Sequence, residues 1–456
     1  MSGSLDAPQA APGPDRPAGR REAFPLGAGV TLRDLDGDPH PLLRRLRARE
    51  PVSWLPALGG WLVTSRAEAL RVLRDSPTFT VDDPRFSTAR VIGPSMLSLD
   101  GTEHKRHRDP FAEAFRRAEV QGRLEQRVEA EAERLVSGFA AAGHAELRRG
   151  LAGPLAVSAV AEVLGLGQTD PQTVLAWYDE IVGAVSALAG QSGDPSTDND
   201  GSAGATAGAT AGATAGTGVG SGVGANTGAG MGSGVGVGSD AGAGRPGARA
   251  FGMLSDRLHE VIARGPGGSL LADAAGTGRL RGSEVVSNAA VLMFGGIETT
   301  EGMICNAVWH LLGQPGPLRE VTADPGLAAN AVEESLRLEP AAAVVDRYAT
   351  VGVLLAGAPI QRGDLVTVSL AGAGRDPAFF ADPDRFDVHR DNARHSLAFA
   401  DGPHFCLGAH LARLEARAAL LALLRRLPGL RLDPARPSAP RGVVFRKPPA
   451  LHVLWD

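Results

Sequence analysis

Phe399-Ala400-Asp401-Gly402-Pro403-His404-Phe405-Cys406-Leu407-Gly408 carries a lone cysteine in a glycine-punctuated loop. An amphipathic helical pattern, Ala409 to Leu427, follows directly. A thiolate is a soft donor to a transition metal. Free cysteine is mostly protonated at neutral pH, so its thiolate needs support. A helix N-terminus supplies that support through unpaired N–H groups and a positive dipole end. Gly402 and Gly408 let backbone approach a bound group and the sulfur closely. Phe399 can cover the sulfur and keep water away. Two plainer readings compete. Free cysteine is among the most buried residue types, so Cys406 can be a packed core residue. His404, Cys406 and His410 also form a His-x-Cys-x3-His cluster. A structural zinc site needs a fourth ligand, however, and no second Cys/His pair lies at ligand spacing.

The order Phe-x-x-Gly-x-His-x-Cys-x-Gly resembles the haem-thiolate loop of cytochrome P450 monooxygenases. The resemblance implies haem b as cofactor, Cys406 as the axial ligand of its iron, and Phe399 and Gly408 against the cofactor. A second motif agrees. Gly295-Gly296-Ile297-Glu298-Thr299-Thr300 lies inside a long helical stretch, Ser283 to Leu312. Each interior glycine costs about 1 kcal/mol relative to alanine, so a sequence selected for helix stability alone would avoid this pattern. It is similar to the family's Ala/Gly-Gly-x-Asp/Glu-Thr helix, which crosses the oxygen-binding face of the haem. By that resemblance Thr299 holds dioxygen and a water by hydrogen bonds, and Glu298 relays protons from solvent. These two are the candidate catalytic residues. The plain alternative is a glycine kink packed on a neighbour, with Thr299 bonded back to its own helix. Cys305, further along, reads as a small packed apolar residue.

Glu334-Ser335-Leu336-Arg337 puts two opposite charges on one helix face at i, i+3. It resembles the Glu-x-x-Arg element of P450s. In that family the pair joins an arginine from the following meander, here Arg385 in Pro383-Asp384-Arg385-Phe386, and the cluster is structural. Haem propionates need cationic or hydrogen-bonding partners. His104 and Arg108 share a helix face at i, i+4. The resemblance assigns them to propionates, together with Arg347 and His404. The competing reading of His104 and Arg108 is a solvated basic face, since Lys105, Arg106 and His107 are their neighbours.

The chain has 456 residues, a formal net charge of -5 and only two cysteines. The mildly acidic balance, without a long basic tract, argues against nucleic acid as a partner. Two cysteines argue against a disulfide scaffold and suit a reducing cytosol. No apolar run is long enough to span a bilayer, and Met1 to Arg21 has no apolar signal core. A cytoplasmic monomer is expected.

Residues 1–25 read as a disordered head and 26–456 as one domain. A Gly/Ala/Thr-rich insertion at about 191–247 reads as flexible, because it cannot bury enough side chain to offset its ordering entropy. Val52–Leu55 and Gly60–Thr64 read as a hairpin. Ser65 reads as a helix N-cap, and Pro110 should kink or restart the helix Thr102–Phe115. Further helices are expected at 121–142, 153–164, 170–188, 248–264 and 327–338. Strands are expected at 351–359 and 364–370, with a closing pair within 443–454. The expected fold class is mainly α with a small β-rich portion. By resemblance it is the P450 fold, a triangular prism of helices around a buried haem.

Ala400, where the family commonly has glycine, is one departure from the family pattern. The implied function is a haem-thiolate monooxygenase inserting one oxygen atom of O2 into a small, largely apolar organic substrate, with hydroxylation in secondary metabolism first in line. A peroxide-driven peroxygenase and a non-catalytic haem or ligand-binding protein are the alternatives. No flavin or iron–sulfur segment is evident, so electrons from NAD(P)H must arrive through an external ferredoxin and its reductase. Lys105, Arg106, Arg413 and Arg417 are the candidate docking cations. Met96, Phe294, Val344 and Val345 are candidate cavity residues.

Overall fold

The computed structural model describes residues 17–190, 244–265 and 269–456. The first helices are short: α1 (Pro17–Ala23), α2 (Pro25–Ala28), α3 (Leu32–Asp36), α4 (His40–Arg49), α5 (Arg66–Arg74) and α6 (Ser87–Ile92). Longer ones follow: α7 (Gly101–Ala112), α8 (Arg117–Phe139), α9 (Gly153–Leu164), α10 (Pro171–Gly190) and α11 (Gly244–Ala263). The last group is α12 (Leu270–Gly276), α13 (Gly282–Leu312), α14 (Pro315–Ala323), α15 (Ala328–Leu338), α16 (Leu370–Ala373) and α17 (Ala409–Arg426).

The organising element is α13. Its 31 residues span about 46 Å. Apolar side chains line nearly every face of it, so it is buried along its length, as expected for a helix without a polar stripe. It packs on α9, α11, α15 and α17, and α17 lies in turn along α8. Cys305 is fully buried in this core.

The small β portion sits to one side. A five-stranded sheet has the order β1 (Val52–Leu55), β2 (Gly60–Val63), β8 (Leu365–Ser369), β5 (Val344–Ala349), β3 (Phe79–Thr80). β1 and β2 form the expected hairpin, with Trp54 opposite Trp61. β2 and β8 are parallel, with Val63 opposite Val368. A second sheet joins β4 (His144–Glu146), β10 (His452–Leu454) and β9 (Arg431–Leu432). β6 (Val353–Leu355) and β7 (Ala358–Ile360) pair alone.

Several expectations need correction. The head is ordered from Pro17, because Arg20 makes two bonds to Asp364 (3.2 and 2.9 Å) and lies 4.5 Å from the Trp54 ring centre. Residues 1–16 lie outside the described residues. So do 191–243 of the expected insertion, whereas 244–247 belong to α11. The stretch 351–359 is not one strand: Ala356 and Gly357 both take positive φ (47° and 84°) and turn it into the β6–β7 hairpin. Within 443–454 only β10 is a strand, and its partners are distant segments. Ser65 occupies the N-cap position of α5 but makes no side-chain cap. Asp376 takes the Arg66 N–H instead, at 2.8 Å. α7 runs through Pro110 and stops two residues later, and the chain restarts as α8 at Arg117.

Candidate active site

Cys406 lies between the tight turn Gly402–His404 and α17. Its N–H donates to the Phe399 carbonyl (2.9 Å), which closes the loop on itself. Gly402 has φ +71°, and a Cβ there would stand 2.4 Å from the Leu73 carbonyl oxygen, so this turn admits only glycine. Ala400 is also left-handed, with φ 58°, and carries the strain that a glycine would not. Burial pushes the Cys406 thiol up, while the Gly408 N–H and the Arg108 and Arg413 charges favour the thiolate. Arg413 lies 4.4 Å from the Phe399 ring centre, so the ring that covers the loop is itself fixed by a cation.

The two glycines of α13 do different work. A Cβ on Gly296 would come within 2.6 Å of Val160 on α9, so Gly296 permits close helix packing. A Cβ on Gly295 would meet nothing within 4 Å, so Gly295 opens onto free space. Thr299 Oγ1 donates to the Gly295 carbonyl, the local bond anticipated as the plain alternative. Glu298 turns elsewhere. It accepts from Tyr178 Oη (2.8 Å) and pairs with Lys447 Nζ (2.8 Å). Lys447 also bonds Glu301 (2.7 Å), which pairs with Arg148. Burial acts to raise the Glu298 pKa, but Lys447, Tyr178 and Arg148 prevail and hold it below the usual carboxylate range.

His104 and His404 stack, with ring centres 4.2 Å apart and planes tilted by 37°. His404 Nε2 lies 2.8 Å from Asp100 Oδ1, and the same carboxylate accepts from Thr80 Oγ1 (2.6 Å) and the Val81 N–H (2.8 Å). Arg108 donates to the Phe405 carbonyl at 2.6 Å. Arg347 is 5 % exposed and donates to the Asp346 carbonyl at 2.7 Å.

Comparison with known proteins decides what this constellation is. The family model described as Cytochrome P450 matches residues 326–453. Cytochrome P450 monooxygenase PikC of Streptomyces venezuelae is 33 % identical over 427 residues, covering 90 % of this chain and 88 % of that protein. Mycinamicin IV hydroxylase/epoxidase of Micromonospora griseorubida is 31 % identical over 425 residues, covering 90 % and 94 %. The solved structure of CalO2 superposes with a TM-score of 0.76 at 28 % identity, covering 93 % of this chain and 99 % of that one.

The chain belongs to the cytochrome P450 family.

It is therefore a monooxygenase, and the family implies haem. The residues of this P450 fit that group. His104 Nε2 is buried and lacks a hydrogen-bond partner, and burial lowers the His104 pKa to about 4. The Arg347 guanidinium is almost wholly buried, and Asp100 and Asp346 act on it as nearby charges without a direct ion pair among the described residues. A buried donor and a buried cation without a paired anion are costly, unless an anionic group completes them. They stand with Arg108 around the Cys406 loop, where propionates would satisfy them. Among the described residues no group of three or more His, Cys, Asp and Glu side chains is placed to hold a bare metal ion.

The structural cluster of this P450 differs from expectation in one residue. Glu334 and Arg337 are fully buried and doubly bonded, at 2.7 and 2.8 Å. The arginine that reaches Glu334 from the meander is Arg390 (2.9 Å), not Arg385. Arg385 gives only its carbonyl, which accepts from Arg337 at 3.0 Å, and its side chain is exposed. Arg337 also donates to the Gly374 and Pro383 carbonyls, so the strand-side backbone fills its remaining donors. The expected docking cations are each paired internally: Lys105 with Asp109, Arg106 with Glu103 and Glu284, Arg413 with Glu333, Arg417 with Glu125 and Glu129. That patch therefore offers less free charge than its sequence implies.

Asp100, Tyr178, Arg390 and Lys447 escaped the sequence reading. Each acts over a long sequence separation, without any spacing rule to reveal it. Glu415 is another. It sits nine residues beyond Cys406, 2 % exposed, with one carboxyl oxygen unpartnered, and burial raises its pKa well above the usual range.

Proposed function

We propose that this P450 hydroxylates a largely apolar natural product of secondary metabolism, using electrons passed from NAD(P)H by a ferredoxin and its reductase. The observation that carries the reading is the open space beside Gly295, one helical turn before Glu298 and Thr299. Phe294 and Phe445 meet edge to face there, 5.7 Å between ring centres. The names of the relatives support the class: mycinamicin IV hydroxylase/epoxidase, and 20-oxo-5-O-mycaminosyltylactone 23-monooxygenase of Streptomyces fradiae.

Bound haem supplies the oxygen-activating chemistry. Cys406 holds the iron, and Gly408 and the nearby arginines stabilise its thiolate form. His104, Arg108 and Arg347 hold the propionates, with His404 stacked on His104. Thr299 presents its hydroxyl on the substrate side. Glu298, ionised at rest between Lys447 and Tyr178, is transiently protonated from the solvent side and passes that proton on toward Thr299. The enzyme works as a cytoplasmic monomer; no helix among the described residues is long and apolar enough to cross a membrane.

The test is turnover of a macrolactone panel under isotopically labelled O2. With ferredoxin, reductase and NAD(P)H, one labelled oxygen should enter the product. Label-free product driven by peroxide alone, or a haem protein that no reductant turns over, overturns the reading.

A further inference from the structure

We propose that Asn288, oriented by His107, is a specificity-determining residue of this P450, because it latches the loop Ile92–Ser98 onto α13 and so sets one wall of the substrate cavity. The proposal rests on the monooxygenase reading above.

The loop Ile92-Gly93-Pro94-Ser95-Met96-Leu97-Ser98 leaves α6 and crosses the N-terminal half of α13. Its side chains are apolar at the points of contact: Ile92 is 3 % and Met96 5 % exposed. Apolar contact is non-directional and would let such a loop slide. Two polar residues of α13 remove that freedom. Ser287 Oγ donates to the Ile92 carbonyl at 2.6 Å. Asn288 Oδ1 accepts the Met96 N–H at 2.8 Å. Gly93, between them, has φ +83°, and a Cβ there would stand 3.3 Å from Ser287 Oγ. Asn288 lies seven residues before Gly295, so the latch holds Met96 about 10 Å along α13 from the open space.

The amide of Asn288 has one workable orientation. Its Nδ2 donates to the Glu284 carbonyl (2.7 Å) and to His107 Nδ1 (3.0 Å). Flipped, the amide would set an oxygen against two acceptors and an NH2 against the Met96 N–H. His107 thus accepts from the amide at Nδ1, and its Nε2 lies 3.1 Å from Arg106 Nη2 and 3.8 Å from Glu284 Oε1. Asn288 is fully buried and His107 is 2 % exposed, so water does not relieve a mismatch. Remove the Nδ1 acceptor and the amide keeps only the Glu284 carbonyl to aim Oδ1 at Met96, so its hold on the loop weakens.

The test uses haem-loaded protein and azoles that bind the iron, read by the Soret shift. The variants are Asn288→Ala, His107→Leu, and His107→Gln, which keeps an acceptor for Asn288. Imidazole, too small to touch the loop, should bind all forms equally. Clotrimazole should change affinity about tenfold in Asn288→Ala and His107→Leu, and stay near wild type in His107→Gln. Amide hydrogen exchange over residues 92–98 should rise about tenfold in the same two variants only. Unchanged exchange in both, or raised exchange without a change in the clotrimazole-to-imidazole ratio, overturns the proposal. Equal loss in His107→Gln and His107→Leu overturns the role of the acceptor. If wild-type protein gives no azole shift at all, the haem reading has failed instead.

Discussion

Three residues carry sharp expectations of their own. Cys406→Ser replaces a soft thiolate donor with a weak hydroxyl. The reduced protein with carbon monoxide should lose its strongly red-shifted Soret band, and product formation should fall below one hundredth of wild type. Ala400 sits at φ 58°, where an L side chain is strained by about 1 kcal/mol. Ala400→Gly should therefore raise the thermal midpoint by about one degree at most, because the entropy glycine adds to the unfolded chain offsets part of the gain. His310 is buried against Ser335 Oγ (2.9 Å) and stacks on Phe386, and burial depresses its pKa to about 3. The unfolded chain protonates this group near pH 6.5 and the folded one does not. Its contribution to stability is whole above that pH and is lost as pH falls toward 3, with a slope of up to about 1.4 kcal/mol per pH unit. Denaturant titrations of wild type and His310→Phe across this window should differ in slope by about one proton.

Between elements, the Glu334 cluster joins α15 to the meander. Arg390→Ala leaves a buried carboxylate short of a partner and should cost about 3–5 kcal/mol. Arg385→Ala should cost under about 0.5 kcal/mol, since that side chain is exposed. Chemical denaturation of both variants separates the two assignments. Lys447 is the corresponding link between the C-terminal segment and α13. Without it, only Tyr178 and Arg148 oppose the effect of burial at Glu298, and its pKa rises. Lys447→Met should reduce product formation about tenfold and alter its pH profile, while the carbon monoxide spectrum stays unchanged. The Glu334–Arg337 pair and the Cys406 loop were legible because their residues are local and their spacing is dictated by one helix turn or one tight turn. Which meander arginine turns inward was not. Arg385 and Arg390 are the same residue type a few positions apart, and only the path of the backbone decides which guanidinium reaches Glu334. The separate duties of Gly295 and Gly296 were equally hidden, because Val160 lies on another helix.

Across the whole molecule, the mainly helical class followed from the helical patterns along the chain. The pairing of β2 with β8, and of β10 with β4, did not, because strands of two to five residues carry little periodic signal. Long-range polar clamps do the closing. Arg20 fixes α1 to β8's preceding turn through Asp364, which also accepts from Trp61 Nε1 at 2.9 Å. Arg20→Ala should cost about 1–3 kcal/mol and free α1, seen as faster proteolysis near residue 20 and altered tryptophan fluorescence. Arg446 is the counterpart at the other end. It is 2 % exposed, pairs with Glu339 at 2.6 Å, and donates to the carbonyls of Leu35, Asp36 and Gly37. Those three carbonyls leave the ribosome some four hundred residues before the guanidinium that satisfies them. A nascent chain therefore waits, with its first helices unlatched, until Arg446 has been made. Chains stopped before Arg446 should be degraded before they capture their pigment.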